Sequence, residues 1–292
     1  MAALPPQDLF AKDFPMPRKA VVRLSGLLTA LVLLTACGPT ADGNSLAGKA
    51  SSGKLTIGIG VDQPGLGFQD LNGGHSGFDI DVATYVAKEL GVDASGITWA
   101  PTVISDRAKD LQEGKVDMVV EAFSITDDRK KQISFAGPYF VAGQDLLVRL
   151  TSTDITGPES LNNNKKLCSV AGSTSAQDVR DKFAQGAKLV EYVHFTECVT
   201  ALFAGIVDAV TTDDLVLAGL AAQNPELLRV VGKPFTKEYY GIGLRKGDTV
   251  SQAKVDAALQ KMMDSGAWKA SLQRNFGSSG YRIPSPPQIT ER

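Results

Sequence analysis

One cation and one carboxylate stand at corresponding places in the sequence, and together they could hold a small molecule that carries both charges. Arg129 follows an apolar run that ends at Val120, and Asp213 follows a second run that ends at Val210. A guanidinium can hold a carboxylate with two parallel hydrogen bonds, whereas a lysine ammonium cannot. Asp213 would accept hydrogen bonds from an ammonium group. The pair therefore predicts a site for a zwitterion, the form of a free amino acid.

Arg129 also has a simpler interpretation. It lies within a run of charged residues, 127–131, which without Asp213 would be interpreted as a solvated basic turn. The small-residue turn at 172–175 offers a third element of a site, because backbone amides at a helix start bind anions. Ordinary capping of that helix by serine or threonine explains the same turn equally well.

Two copies of one sequence pattern are expected to position Arg129 and Asp213. Residues 111–119 and 202–210 share the pattern L-x-x-G-x-V-D-x-V, which is typical of a helix end, a glycine stop and a buried strand. Residues just past the carboxyl end of a parallel strand lie at the ligand crevice of open α/β sheets. The repeat therefore favours two related lobes with a site between them. Chance is the competing explanation, since such junctions are common in α/β proteins.

The folded part is predicted to start near Lys54, and from there short strand-like runs alternate with helical ones. Residues 55–61 carry apolar side chains at alternate positions, and residues 78–90 carry them at the spacing of a helix. Gly91 is expected to end that helix. This order is typical of an α/β protein with mainly parallel sheets flanked by helices.

The N-terminal segment has the organisation of a secretory signal peptide. Residues 16–36 begin with basic side chains, continue with an apolar run at 24–34 and end with small residues. That run is about half of the roughly 20 residues that a membrane-spanning helix needs. Translation can start at Met1 or at Met16, and residues 1–15 precede any signal-like feature. The protein is therefore expected to be exported.

Cys37 is expected to carry a lipid anchor. It ends the sequence Leu-Thr-Ala-Cys, which resembles the lipobox of bacterial lipoproteins, whose cysteine is diacylated and becomes the first residue of the mature chain. Two acyl chains anchor a protein stably. Residues 38–53 are rich in Gly, Ser, Ala and Thr, and are predicted to form a flexible tether. The alternative is a signal cleaved elsewhere that leaves Cys37 as a free thiol.

Composition disfavours several other functions. The net charge of -2 gives no field that would attract nucleic acid. The only two histidines, His75 and His194, have no neighbours that suggest a metal-binding or catalytic set, so neither a metal nor a cofactor is expected. Cys168 and Cys198 form an even pair in an exported chain and predict a disulfide, with two buried free thiols as the alternative.

Several short motifs carry a family resemblance when their order and spacing are taken together. They are Gly77-Phe-Asp-Ile-Asp-Val82, Ile125-Thr-Asp-Asp-Arg-Lys-Lys-Gln-Ile133, Phe135-Ala-Gly-Pro-Tyr139, Ala171-Gly-Ser-Thr174, Val207-Asp-Ala-Val-Thr-Thr-Asp-Asp214 and Tyr240-Gly-Ile-Gly243. The sequence resembles the extracellular solute-binding proteins of polar amino-acid ABC importers, family 3, and in particular the glutamate-binding lipoproteins of actinobacteria.

The resemblance implies a two-lobed periplasmic-binding-protein fold of type II, with a hinge of two crossings. Lobe 1 would comprise residues 54–146 and 241–292, and lobe 2 residues 147–240. The crossings are expected near Leu147 and Tyr240. In this fold the ligand binds between the lobes.

The resemblance also implies roles for single residues. Arg129 would take the α-carboxylate with help from Thr174 and Ser124, and Asp213 would take the ammonium with the carbonyl of Ala122. The full set of candidate ligand-binding residues is Arg129, Asp213, Thr174, Ser124, Arg107, Ala122, Ser173 and Asp214, the last as the substitute for Asp213 if the register shifts by one residue.

Arg107 bears on the identity of the ligand. It falls where glutamate- and aspartate-binding relatives carry an arginine for the side-chain carboxylate, and residues 62–67 are similar to those of glutamate-binding lipoproteins. A second cation suits a dianionic ligand, because an unpaired buried carboxylate is costly. L-glutamate is therefore predicted, with glutamine, aspartate and asparagine as close alternatives. The competing interpretation makes Arg107 an exposed first-turn residue of its helix.

By the same resemblance the protein is a binding subunit and not an enzyme. Ligand would close the two lobes, and a membrane permease would recognise the closed form. The chain is expected to act as a monomer on the extracytoplasmic face of the membrane, anchored through Cys37. One alternative is an arogenate-type dehydratase on the same fold, for which Glu121 is the cleft carboxylate to check. The other is a sensory binding subunit.

Overall fold

The computed structural model of the chain describes residues 43–291. The predicted signal peptide and the predicted lipid attachment site, Cys37, lie outside this range. Within it, strands and helices alternate along the chain and build two five-stranded sheets and one small three-stranded sheet. None of the helices in residues 43–291 combines the length and the apolar character that a membrane crossing requires.

The first large sheet is built from four strands of the first part of the described chain and from the last strand. Its strands are β1 (Leu55–Ile59), β5 (Ile97–Pro101), β6 (Met118–Val120), β7 (Ser134–Ala142) and β13 (Glu238–Leu244). Their order is β5-β1-β6-β13-β7. β1 pairs in parallel with β5 and β6, whereas β13 is antiparallel to β6 and β7. Four strands therefore share one direction, and β13 opposes them.

The second large sheet repeats this arrangement. Its strands are β8 (Gln144–Arg149), β9 (Lys166–Val170), β10 (Lys188–Tyr192), β11 (Ala209–Asp213) and β12 (Leu228–Val230). Their order is β10-β9-β11-β8-β12, with β9 parallel to β10 and β11, and β8 antiparallel to β11 and β12. Again one strand opposes four. The predicted α/β fold with two mainly parallel sheets is confirmed.

Two short segments carry the chain between the sheets. β7 and β8 are joined by Gly143 alone, and the return crossing lies between β12 and β13. The two crossings are hydrogen-bonded to each other, since the N–H of Gln144 donates to the hydroxyl of Thr236 at 3.0 Å. Both crossings lie a few residues before Leu147 and Tyr240, the positions expected from the sequence, because β8 and β13 begin earlier than expected.

Helices cover both large sheets. α2, α8 and α9 pack around the first sheet, and α5, α6 and α7 pack on the second. Phe78 and Trp268 are fully buried between α2 and α9, with ring centroids 6.0 Å apart. The helices are α1 (Leu46–Ala50), α2 (Phe78–Glu89), α3 (Arg107–Gln112), α4 (Asp127–Gln132), α5 (Ser175–Asp178), α6 (Phe195–Phe203), α7 (Asp214–Ala222), α8 (Thr249–Asp264) and α9 (Ala267–Phe276).

Shorter elements complete the chain. Two 3₁₀ turns lie at Ala94–Gly96 and Pro158–Asn162, and a π-helical turn, Val179–Phe183, continues α5. The three-stranded sheet consists of β2 (Asp62–Gln63), β3 (Gly67–Gln69) and β4 (His75–Ser76). It follows β1 directly and so lies at the carboxyl end of a strand of the first sheet.

The two copies of the L-x-x-G-x-V-D-x-V pattern adopt the same local structure. Their glycines leave the preceding helices with left-handed φ values of 69° and 70°, which a side chain would strain. The N–H of Asp117 donates to the carbonyl of Thr56 at 2.8 Å, and Oδ2 accepts from the Thr56 N–H at 2.7 Å. Asp208 makes the same two bonds with Lys166, each at 2.8 Å. The two copies therefore match in structure as well as in sequence, and β6 and β11 lie at the centres of their sheets.

Helix α1 corrects the expectation that the tether is flexible as far as residue 53. Its apolar side chains are buried against α8. The N–H of Leu46 donates to Asp248 Oδ2 at 3.0 Å, and Lys49 pairs with Asp117. A five-residue helix is too short to show a helical period in the sequence, so its long-range partners decide its structure.

The predicted disulfide between Cys168 and Cys198 is confirmed. It joins strand β9 to helix α6 across a sequence separation of 30 residues. Both half-cystines are fully buried. The bond therefore fixes α6, whose first residue is Phe195, against the second sheet.

Reduction of this disulfide is expected to lower the free energy of unfolding by about 3–4 kcal/mol, because the unfolded chain regains the entropy of an open loop. Urea denaturation with and without a phosphine reductant measures the difference. A Cys168→Ala/Cys198→Ala double variant is the control, and its stability should not respond to the reductant. Equal free energies of unfolding for the oxidised and reduced wild-type chain would contradict this prediction.

Candidate functional site

A cleft between the two large sheets collects the residues that the sequence singles out. It contains about 330 Å³ of space not filled by atoms, part of it open to solvent. The predicted residues that line the cleft are Arg107, Ala122, Ser124, Arg129, Ser173, Thr174 and Asp213. The other lining residues are Gln63, Ile104, Glu121, Ser175, Phe195, Thr212 and Val216.

Arg129 lies in helix α4 and is held by carbonyl groups from both sides of the cleft. Thr126 caps this helix, its hydroxyl accepting from the N–H of Arg129 at 3.2 Å. Nη1 of Arg129 donates to the Ser124 carbonyl at 2.7 Å, and Nη2 donates to the Gly172 carbonyl at 3.0 Å. Burial and then the nearby charge of Arg107 lower the pKa of Arg129 to about 9. The guanidinium is thus oriented, poorly hydrated and suited to an anionic ligand.

The turn at 172–175 faces Arg129 from the second sheet. Its Ser173 and Thr174 line the cleft. The hydroxyl of Ser173 accepts from the N–H of Ser175 at 3.2 Å, a bond within the turn that leads into α5. Thr174 is the N-cap residue of α5, and its side chain makes no capping bond to the helix.

Asp213 is the last residue of β11 and is buried at the other side of the cleft. Its Oδ2 accepts from the hydroxyl of Tyr240 at 2.6 Å. Its Oδ1 is buried and has no hydrogen-bond partner among residues 43–291. Burial, and then the charge of Glu238, raise the pKa of Asp213 to about 7. A buried acceptor without a donor is costly, so Oδ1 is suited to a ligand that donates.

Gln63 offers a second acceptor that sequence reasoning missed. It is 1% exposed and lines the cleft from β2, and its Oε1 is also buried without a partner in the part of the chain that the structure describes. The motif at 62–67 contains Gln63, but in the sequence this motif bears only on the type of ligand. Together, Gln63 and Asp213 give the cleft two buried acceptor atoms for which the described part of the chain supplies no donor.

Arg107 is buried in the cleft, so its interpretation as an exposed first-turn residue is wrong. It is 3% exposed. Its Nη1 donates to the carbonyl of Glu121 at 2.7 Å, and its Nε lies 4.0 Å from Glu121 Oε2. The guanidinium carbon of Arg107 lies 4.0 Å from the ring centroid of Phe123. The guanidinium carbon of Arg129 lies 4.9 Å from the same centroid. The two cations are therefore held on one aromatic ring.

The backbone between Glu121 and Ser124 is fixed by a buried carboxylate behind it. Ala122 has a φ of 42°, a left-handed conformation that is uncommon for alanine. Its N–H donates to Asp79 Oδ2 at 2.8 Å, and Asp79 Oδ1 accepts from the hydroxyl of Tyr139 at 2.7 Å. Burial raises the pKa of Asp79 to about 6. Asp79 thus stabilises the loop that brings Glu121, Ala122 and Ser124 to the cleft.

Asp214 is the one candidate ligand residue that does not line the cleft. Its Oδ1 accepts from the N–H of Gly143 and its Oδ2 from the hydroxyl of Tyr281, both at 3.2 Å. These bonds tie the start of α7 to the first crossing and to the C-terminal segment. The structure therefore places Asp213, and not its neighbour, at the site.

Direct contacts between the two halves close the cleft. Asp62 in β2 accepts from the N–H of Phe195, the first residue of α6, at 2.7 Å. His194 Nδ1 lies 3.7 Å from the same carboxylate oxygen. Gly172 lies against the backbone of Ser105. A β-carbon added to Gly172 would be only 2.6 Å from the Cα of Ser105. The structure is thus a closed form.

No cluster of three or more histidine, cysteine or acidic residues suited to a metal ion occurs among residues 43–291.

Two repeated α/β halves with two crossings, closed on a charged cleft, define a two-lobed ligand-binding protein. Residues 55–278 match the bacterial extracellular solute-binding proteins, family 3. The chain belongs to this family, as the sequence motifs predict. The family accords with binding and transport of a solute and not with the dehydratase alternative.

The chain is similar to proteins named for acidic and amide amino acids. It is 40% identical over 279 residues to the glutamate-binding protein GluB of Corynebacterium efficiens, covering 91% of this chain and 95% of that protein. It is 36% identical to the glutamine-binding protein GlnH of Bacillus subtilis, over 82% of this chain and 91% of that protein.

A solved structure shows the same architecture. An ancestral arginine-binding protein bound to glutamine is 38% identical, with a TM-score of 0.72, and the match covers 77% of this chain and 98% of that one. The two-lobed fold predicted from the sequence is confirmed by this likeness.

Proposed function

We propose that this chain is the substrate-binding subunit of an ABC amino-acid importer and that its ligand is L-glutamate. The observation that carries the proposal is a second buried cation, Arg107, in a cleft that already holds Arg129 and Asp213. The two cations, Arg107 and Arg129, match the two carboxylates of glutamate, and the carboxylate of Asp213 matches its ammonium. The relative in C. efficiens named as glutamate-binding supports the same choice.

The α-amino acid group fits the two sides of the cleft. Arg129 pairs with the α-carboxylate, and the hydroxyl groups of Ser124, Ser173 and Thr174 lie at the same cleft to assist it. The α-ammonium has three protons to donate. Asp213 Oδ1 and Gln63 Oε1 are buried acceptors that no donor among residues 43–291 reaches, and the carbonyl of Ala122 is the third acceptor proposed from the sequence. The ligand ammonium would thereby donate to buried polar atoms that have no donor within residues 43–291.

Arg107 then pairs with the side-chain carboxylate. Burial lowers the pKa of Arg107 from its usual value, and the charge of Glu121 opposes that shift. L-glutamine is the second candidate, because Glu121 is already near Arg107 and could balance its charge without a ligand carboxylate. The B. subtilis relative named as glutamine-binding supports glutamine as this second candidate.

The ligand also explains closure. It bridges Arg129 on the first lobe and Asp213 on the second, so it binds the closed form more tightly than the open one. The proposed partner is a membrane permease that recognises the closed form, and a sensory membrane protein could use the same form. Attachment through Cys37 would keep a monomer near that partner.

Isothermal titration with glutamate, glutamine, aspartate and asparagine tests the proposal. We expect glutamate to bind most tightly, because the other ligands lack the second carboxylate or place it one methylene too short. Tighter binding of glutamine than of glutamate would overturn the role of Arg107. Absence of binding by all four would overturn the site itself. Arogenate serves as a turnover control, and consumption of it by the purified chain would contradict a binding function.

Asp62→Ala is expected to weaken glutamate binding about tenfold, because the closed form loses the hydrogen bond that caps α6 across the cleft. Titration calorimetry on both proteins measures the ratio of dissociation constants. Asp93→Ala is the matched control, since Asp93 is exposed and its side chain caps no helix. An unchanged affinity in Asp62→Ala would show that this contact does not stabilise the closed form.

A further inference from the structure

Glu121 is a buried carboxyl group at the cleft to which the binding mode above gives no contact with ligand. It is 2% exposed and follows β6 directly. Its Oε2 accepts from the hydroxyl of Thr102 at 2.7 Å and lies 4.0 Å from Nε of Arg107. Glu121 and a ligand side chain therefore compete for the same guanidinium.

The charge of the ligand side chain decides what Glu121 must do. With glutamine bound, Arg129 balances the α-carboxylate, Asp213 balances the α-ammonium, and ionised Glu121 balances Arg107. With glutamate bound, a second carboxylate reaches Arg107, and one of the two anions is left without a counter-charge. A buried carboxylate in that position takes a proton, because like charges that share one site cannot both stay ionised.

We propose that Glu121 takes up one proton when L-glutamate binds and stays ionised when L-glutamine binds, so that it adapts the cleft to the charge of the ligand side chain. This inference rests on the proposed function. The proton comes from solvent and bonds to a carboxylate oxygen of Glu121, and no other bond changes. Glu121 is thereby a specificity-determining residue that acts through Arg107.

The groups around Glu121 favour such a change near neutral pH. Burial is the main cause that raises the pKa of Glu121, to about 7. Arg107 from α3 and the hydroxyl of Thr102 lower this pKa, whereas Asp62 from β2 and Asp79 from α2 raise it. The remaining charged groups of the cleft are Arg129 from α4 and Asp213 from β11.

The sign of the pH dependence follows from the proton balance. A ligand whose binding takes up a proton binds more weakly as the pH rises above the pKa of the free site. Glutamate affinity should therefore fall up to about tenfold for each pH unit above 7, whereas glutamine affinity should not. Protonation of Asp213 affects both ligands alike, so a comparison of the two removes its contribution.

Calorimetry in two buffers of different ionisation enthalpy, such as phosphate and Tris at pH 8, counts the protons exchanged per ligand bound. We expect glutamate to take up about one proton more than glutamine. In Glu121→Gln this difference should disappear, and glutamate affinity should become independent of pH above 7. Glu113→Gln, an exposed residue next to α3, is the matched control and should keep the difference.

The outcomes separate this inference from the function on which it rests. Equal proton numbers for two ligands that both bind would overturn the role of Glu121 and leave the proposed function intact. No heat with either ligand would overturn the proposed function. If Glu121→Gln fails to fold, the comparison of the two ligands on the wild-type chain still decides the matter.

Discussion

Arg129→Ala is expected to reduce glutamate affinity by roughly two to four orders of magnitude, because the loss of one partner of a buried ion pair costs about 3–5 kcal/mol. The ligand α-carboxylate would then enter the cleft beside Arg107 alone, which the side-chain carboxylate already occupies. The two carbonyl groups that hold Arg129, those of Ser124 and Gly172, would also lose their donors. Titration calorimetry at neutral pH measures the loss.

Two further variants separate the guanidinium from charge alone. Arg129→Lys keeps a cation but cannot donate in parallel to a carboxylate, so an intermediate loss is expected. Lys131→Ala removes a cation two residues away whose side chain is 75% exposed, and its affinity should match wild type. Equal losses in Lys131→Ala and Arg129→Ala would show that the basic turn acts only through its long-range field. Retained affinity in Arg129→Ala would support the simpler interpretation, in which Arg129 is only part of a solvated basic turn.

Asp213→Asn is expected to weaken binding of both glutamate and glutamine by about a hundredfold or more, because the ligand ammonium loses its only charged partner in the proposed binding mode. The amide keeps the size of the side chain and can still contact Tyr240, whose hydroxyl donates to Asp213 at 2.6 Å. Packing should therefore change little. An affinity within about threefold of wild type would contradict the assignment of the ammonium to Asp213.

The pH dependence of glutamine binding gives a second test of Asp213. The ammonium needs the ionised carboxylate, and burial raises the pKa of Asp213 to about 7. Affinity should be highest above that pH and should fall up to about tenfold for each unit below it, since the proton must leave before the ligand binds. Asp213→Asn should weaken this dependence and leave only the part that Glu121 contributes, since Glu121 also has a pKa of about 7. A glutamine affinity that is constant from pH 5 to pH 8 in the wild-type chain would contradict it.

The sequence predicted those features that depend on local patterns. The alternation of strands and helices is periodic, and the repeated helix-glycine-strand unit carries the same aspartate in each copy. The structure explains why the aspartate recurs. Asp117 and Asp208 each form hydrogen bonds with the backbone N–H and carbonyl of one residue in a neighbouring strand. The same pattern indicates Arg129 and Asp213, because Arg129 lies shortly after β6 and Asp213 ends β11.

The sequence did not predict the features that depend on distant partners. The hydrogen bonds from Tyr240 to Asp213 and from Ala122 to Asp79 form only once the sheets are assembled. No sequence spacing predicts either bond. Helix α1 is too short to have a period of its own. Whether Arg107 is exposed or buried could not be decided from its place in a helix, because Phe123 and Glu121 from a neighbouring segment cover it.

Titration with L-glutamate, glutarate and 4-aminobutanoate is the most direct test that Arg129 and Asp213 hold the two charges of an α-amino acid. Glutarate keeps both carboxylates and lacks the ammonium, whereas 4-aminobutanoate lacks the α-carboxylate. Each analogue should bind at least about a hundredfold more weakly than glutamate, because each leaves one buried charge of the cleft without a partner. Binding of either analogue within about tenfold of glutamate would contradict the account.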